Sequence, residues 1–183
     1  MLATCTRLGA LLACAALMGA CAFLESSTDF DNPALLAVAP ETLGERTLEQ
    51  RLVIRWPGGE RSLEAALEIS AGKLRLVLMS FGMRVSTLEY DGWTLNETRH
   101  LPQAPSGVRI VNDFLMIAAP LDALRAALPE GWAVTESKGQ RVFTQGDETQ
   151  IVIRYSAATP WQGQVAFEHR AFGYQLILDS HEF

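Results

Sequence analysis

Leu48-Glu49-Gln50-Arg51-Leu52-Val53-Ile54-Arg55, then Pro57-Gly58-Gly59, then Leu63-Glu64-Ala65-Ala66-Leu67-Glu68-Ile69, is the stretch on which the fold turns. Leu48, Gln50, Leu52 and Ile54 fall on one side of a period of two, with Glu49, Arg51 and Arg55 on the other. Successive side chains of a strand point to opposite faces, so this pattern predicts a half-buried strand rather than a helix. Pro57-Gly58-Gly59 is turn chemistry. The next segment repeats the alternation, with Leu63, Ala65, Leu67 and Ile69 against Glu64 and Glu68. After Ala71-Gly72 a third strand sets Leu74, Leu76 and Leu78 against Lys73 and Arg75. Strands joined by such short turns pair antiparallel, because a parallel pair needs a long crossover.

Working outward, Met83 to Tyr90 reads as a further strand whose untidy alternation predicts a bulge. Asp91-Gly92 is a hairpin signal, and Trp93 to Thr98 returns from it. Leu101 to Gly107, with Pro102 and Pro105, reads as a linker. Asn112 or Asp113 then caps an expected helix over Phe114 to Ala118. Pro120 opens another helix, with Leu121, Leu124 and Leu128 as its apolar stripe, stopped by Pro129-Glu130-Gly131. Strands resume at 132–136, 141–144, 149–155, 164–169 and 172–179. Near the start, Asn32 and Pro33 predict a short helix over Pro33 to Val38, ending before Pro40. The fold class expected is α+β: a curved antiparallel sheet of about ten strands, a half-barrel, covered by helices at 33–38 and 112–128. Such a sheet and its cover either seal a dry core or leave a cavity for an apolar ligand, and periodicity does not separate the two.

Composition narrows the function. The chain has 183 residues with 15 Lys+Arg against 21 Asp+Glu, a net charge of -6, so binding to nucleic acid is not expected. All three cysteines, Cys5, Cys14 and Cys21, lie in the first 21 residues, which leaves the folded part without a disulfide framework or a zinc site. His100, His169 and His181 have no ligand spacing. No nucleophile elbow, Walker loop, zincin motif or dinucleotide-binding glycine pattern is present, so no catalytic residue, no cofactor and no metal is expected.

The N-terminus reads as a targeting segment. Arg7 is followed by an uncharged, mostly apolar run from Leu8 to Ala20, too short to span a bilayer and suited to a signal peptide. It ends in Met18-Gly19-Ala20-Cys21, which looks like a bacterial lipobox with Cys21 as the lipid attachment site. Leu11-Leu12-Ala13-Cys14 is a second match, but it leaves too short an apolar core before it. The plain alternative is a periplasmic protein cut after Ala20. Residues 1–20 are thus expected to be the signal, 21–31 a lipidated tether, and 32–183 a single half-barrel domain. Ala22 after the lipidated position resembles the default outer-membrane address.

Three further stretches carry a resemblance. They are Leu76-Val77-Leu78-Met79-Ser80-Phe81-Gly82, Ala119-Pro120-Leu121-Asp122-Ala123-Leu124-Arg125, and the late strands Gln150 to Tyr155 and Tyr174 to Asp179. In order and character they resemble the Lol family of lipoprotein-sorting proteins, above all its LolB-like outer-membrane receptors. Closer still is an uncharacterised family of LolB-like lipoproteins often encoded near aryl polyene and fatty-acid synthesis genes. In the receptors an exposed leucine before glycine helps deliver cargo to the membrane, and Phe81 matches that position, flanked by Met79 and Met83. An apolar Met and Phe tip could dip into lipid or grip an acyl chain, or Phe81 could pack into the core. The resemblance implies a monomeric, non-enzymatic lipoprotein that faces the periplasm from the outer membrane. It would bind or transfer an acylated lipid or lipoprotein, with Phe114, Leu121, Leu124 and Leu128 as a candidate lid. The alternative is a structural or assembly lipoprotein docking on an envelope complex.

Overall fold

The period-two segments do form strands, and the turns between them are short. The computed structural model describes residues 34–102 and 104–182. A 3-10 turn, Pro40–Leu43, precedes β1 (Arg46–Trp56), β2 (Gly59–Ser70), β3 (Lys73–Ser80), β4 (Met83–Tyr90) and β5 (Leu95–Arg99). Two helices follow, α1 (Gly107–Ala118) and α2 (Leu121–Ala127). Then come β6 (Trp132–Ser137), β7 (Gln140–Gln145), β8 (Glu148–Tyr155), β9 (Gly163–His169) and β10 (Tyr174–Glu182). All ten strands belong to one antiparallel sheet in the order β5-β4-β3-β2-β1-β10-β9-β8-β7-β6. The sheet is open and curved, the α+β half-barrel expected from the alternation. Its two five-strand meanders are joined at one seam, β1 against β10, where Leu52 faces Leu178 and Ile54 faces Leu176.

The expected bulge is present. Leu78 pairs with Ser86 but Met79 pairs with Arg84, so Val85 is the extra residue, and both Val85 and Ser86 are buried. At the next turn the Asp91 Oδ1 accepts the N–H groups of Trp93 (3.0 Å) and Thr94 (2.8 Å), and its Oδ2 accepts the Thr94 hydroxyl (2.6 Å). These bonds hold the Asp91 carboxyl down at about 2, led by the Thr94 hydroxyl.

Two expectations about helices require correction. Within the expected helix at 33–38, the described residues 34–38 are not helical, and Pro33 lies outside the described residues; the first helical turn is Pro40–Leu43 instead. Ala39, just before a proline, is held in the β region. Long-range bonds also claim this backbone. The Asn112 Oδ1 accepts the Leu36 N–H at 2.9 Å, and the Tyr90 hydroxyl accepts the Val38 N–H at 2.9 Å while donating to the Leu36 carbonyl at 2.5 Å. The second correction concerns α1. It starts at Gly107, so Asn112 and Asp113 are not caps but buried residues inside the helix. Their side chains turn inward because partners wait there, Asn112 also donating to the Ala34 carbonyl at 2.8 Å.

Helix α1 crosses the concave face from the β4–β5 side to the β7–β8 side. At its start, a Cβ on Gly107 would lie 2.7 Å from the Leu88 Cδ2 and 2.8 Å from the Glu97 Cδ, so any larger residue there requires those side-chain ends to move. At its end the buried Arg141 donates to the carbonyls of Met116 (2.8 Å) and Ala119 (2.9 Å), and the Tyr155 hydroxyl donates to that of Ile117 (2.7 Å). A cation there also complements the negative end of the helix dipole. Helix α2 opens after Pro120 as expected, with Leu124 fully buried and Leu121 and Leu128 partly so. Among the described residues no helix is long and apolar enough to cross a membrane. The expected signal peptide, Cys21 with its rival Cys14, and the tether 21–31 lie outside the described residues.

Candidate functional site

Register decides which residues can meet under α1. Directly paired residues share a face, so Ile54 with Leu176, Leu52 with Leu63 and Leu178, and Ala65 with Leu78 form successive rows on the concave side. The rows nearer the start of β1, such as Leu48 with Leu67 and Ile69 with Leu74, are buried in one core with Leu36, Val38 and Leu43. Toward the other end the packing stops, and a cavity of about 290 Å³ opens between sheet and helix. Its floor comes from Leu52, Ile54, Leu63, Ala65, Leu76 and Leu78 with Leu176 and Leu178, and its roof from Ile110, Asp113, Phe114 and Ile117 of α1. Trp56, Arg109, Phe172 and Tyr174 stand at its rim end.

The polar groups in this apolar space are few and engaged. Gln50 donates to the Ser180 hydroxyl at 2.9 Å across the β1–β10 seam. The Tyr174 hydroxyl donates a short hydrogen bond to the Asp113 carboxyl, tying β10 to α1. Burial pushes that carboxyl up to about 7, against the opposing pulls of the Tyr174 bond and the Arg109 charge. Burial likewise drives the Tyr174 hydroxyl up, reinforced by the Asp113 charge. His169, at the end of β9, is buried rather than at the surface, and burial with the Arg109 charge lowers it to about 4. Its ring lies 4.2 Å from that of Phe172, over which the Arg109 guanidinium is stacked, also at 4.2 Å. The rim is therefore an ordered stack of Arg109, Phe172, His169 and Tyr174.

The expected contact loop divides into three different placements. Phe81 and Gly82 form the two-residue turn between β3 and β4, with φ of 51° and 72°. Phe81 is 97% exposed, so it is a tip and not a core residue. A left-handed conformation suits Asn, Asp or Gly far better than a bulky side chain. Met83 is 56% exposed and pairs with Ser80 on the cavity side of the sheet. Met79 pairs with Glu64 on the opposite, convex face. The turn Phe81–Gly82 and the rim residue Trp56, 42% exposed, lie at the same end of the sheet. Of the four candidate lid residues only Phe114 lines the cavity; Leu124 belongs to the hydrophobic core, and Leu121 and Leu128 pack against that core.

Sequence reasoning missed Arg109, Asp113 and Tyr174 as members of one site. A signal was present in Arg109 and Asp113, an i, i+4 pair in a helix whose one other polar side chain is Asn112, but Tyr174 is 61 residues from its partner. Among the described residues no cluster of three or more His, Cys, Asp or Glu side chains could hold a metal ion.

Residues 47–182 match a family model described as "Protein of unknown function (DUF3261)". The chain is also similar to a solved structure, that of a DUF1329 family protein from Desulfovibrio piger ATCC 29098. The two are 9% identical, and the match covers 78% of this chain and 87% of that one at a TM-score of 0.39. No curated protein matches the sequence.

Proposed function

The chain belongs to the DUF3261 family, a family of unknown function, and we propose that it is a lipid-anchored carrier that holds or transfers an acylated cargo at the outer membrane, on the periplasmic side. The observation that carries this reading is the 290 Å³ apolar cavity whose rim shares one end of the sheet with the exposed Phe81 turn. Sealed cores close such space, since proteins pack to crystal-like density and a void forfeits contacts. Each methylene moved from water into it contributes about 0.8 kcal/mol, so even part of an acyl chain is held usefully. Cys21 is the proposed anchor and Phe81 the proposed membrane contact, in the manner of the LolB-like receptors. Lipoproteins and polyene lipids are both cargoes of fitting chemistry. No catalysis enters this reading, and the working unit is a monomer.

The reading is tested by native mass spectrometry of the full chain carrying C21S, so that no acyl group of its own competes, together with uptake of a fluorescent acyl probe. Co-purifying lipid or saturable uptake is expected. A chain that carries no lipid and takes up no probe overturns it. Phe81→Glu should fold normally, because the side chain is exposed, yet lose delivery of the probe to vesicles.

A second reading, a structural lipoprotein docking on an envelope complex, draws on Trp93. That ring is 81% exposed in the β4–β5 turn, at the end of the sheet away from the cavity rim. Crosslinking at Trp93 to a protein partner, with a dry cavity, would favour it.

A further inference from the structure

Resting on the carrier reading, we propose that the cavity is built for a lipid with one acyl chain and an anionic head, carboxylate or phosphate, the tail lying over Leu52, Ile54, Leu176 and Leu178 and the head meeting Arg109 and Arg61.

Size argues for one chain. A methylene occupies about the volume of a water molecule, roughly 30 Å³, so a cavity of about 290 Å³ holds on the order of ten such groups. That is the buried part of one chain, with the head at the rim. The three chains of a lipoprotein anchor, or the two of a phospholipid, exceed it.

Charge argues for an anion. Arg109 lines the rim, its guanidinium oriented by the Phe172 ring beneath it. Arg61 pairs directly with Ile54, which lines the floor, so it stands on the same concave face one strand away and is exposed. The neighbouring Arg55 and Glu60 pair with each other at 2.5 Å on the alternate, outward face and cancel there. Among the described residues the groups facing this rim are Asp113 from α1, Tyr174 from β10 and His169 from β9. Asp113 accepts the Tyr174 hydroxyl, and its carboxyl, held near 7 by burial, carries only a partial charge at neutral pH. His169, lowered to about 4, is neutral there. Among the described residues the rim thus carries two guanidiniums, that of Arg109 already stacked on Phe172, and one partly ionised carboxyl. A planar guanidinium offers paired N–H donors that match a carboxylate or phosphate.

The experiment measures binding of hexadecanoic acid, hexadecyl phosphate, hexadecanol and dipalmitoyl phosphatidylglycerol to the full C21S chain by probe displacement. Both single-chain anions should bind at least about tenfold tighter than hexadecanol, the increment of one charge-assisted hydrogen bond. A preference for one of the two anions identifies the head as carboxylate or phosphate. R109Q should abolish the preference for anions, weakening the two anions at least about tenfold more than hexadecanol. Should R109Q fail to fold, R61Q carries the test, with loss of part of the preference and of its salt dependence. Equal binding of acid and alcohol overturns the anionic head while the carrier reading stands. Preference for the two-chain lipid overturns the single-chain assignment. Failure of every probe to bind overturns the carrier reading itself.

Discussion

Asp113 and His169 face the same rim and are displaced in opposite senses, which yields a stability signature that neither gives alone. Asp113 moves from an ordinary 3.8 to about 7, chiefly through burial. Its native state therefore binds a proton more tightly than its unfolded state. The associated stability is fully present below about pH 4 and is lost as pH rises toward 7. A displacement of about 3 in pKa corresponds to about 4 kcal/mol. His169 moves from 6.5 to about 4, again chiefly through burial. Its contribution is present above about pH 6.5 and is lost as pH falls toward 4, by about 3 kcal/mol. In the native protein the two slopes nearly cancel between about pH 4 and 6.5. Single substitutions uncouple them. Asp113→Asn keeps an oxygen to accept the Tyr174 hydroxyl, so its stability relative to the native protein should rise by up to ~4 kcal/mol from pH 4 to pH 8. For a domain of this size that is about 10 °C in Tm. His169→Gln should show the reverse, losing ground by about 3 kcal/mol over the same interval. Urea or thermal unfolding across pH 4 to 8, read as differences from the native protein, cancels every other titrating group and any constant offset. Differences that stay flat with pH for both variants would refute the reasoning.

Two other outcomes follow from bonds buried in the fold. Tyr90→Phe removes the hydroxyl that serves both the Val38 N–H and the Leu36 carbonyl and leaves them only their 3.2 Å bond to each other; it should cost about 1–3 kcal/mol, the two buried hydrogen bonds of the hydroxyl. Hydrogen exchange should accelerate at Val38 before the sheet opens, and unchanged protection at Val38 would count against this role. Arg141→Met strips the end of α1 of donors to the Met116 and Ala119 carbonyls and leaves Glu136 without its 2.6 Å partner. A loss of about 2–3 kcal/mol is expected by chemical denaturation, from the two helix-end carbonyls that lose a charged donor rather than from the exposed Glu136, and a loss under 1 kcal/mol would contradict it.

The strands were legible because their physics is local. Leu63, Ala65, Leu67 and Ile69 announce both the strand and its buried face, and the irregularity at Val85 and Ser86 announced the bulge. The helices were less so. Asn112 and Asp113 look like caps to a reader of neighbours, since polar residues before an apolar run usually are. Their partners, Leu36 and Tyr174, lie 76 and 61 residues away, and only the folded chain reveals that α1 runs through them. Periodicity also fixes which face is inward but not how far the cover stands off it. That is why cavity and sealed core read alike in the sequence, and why Arg109 went unnoticed while Phe81 was singled out.

The seam between β1 and β10 bears on the order of assembly. Each meander consists of neighbours in sequence and can form as its own segment leaves the ribosome. The seam instead joins the first strand to the last, with Leu48 beside Glu182, and such distant pairing is slow because a long loop must close first. The cavity floor straddles this junction, with Leu52 and Ile54 on one side and Leu176 and Leu178 on the other. A half-made chain therefore lacks half of the cavity floor, and the cavity is complete only when the final strand docks.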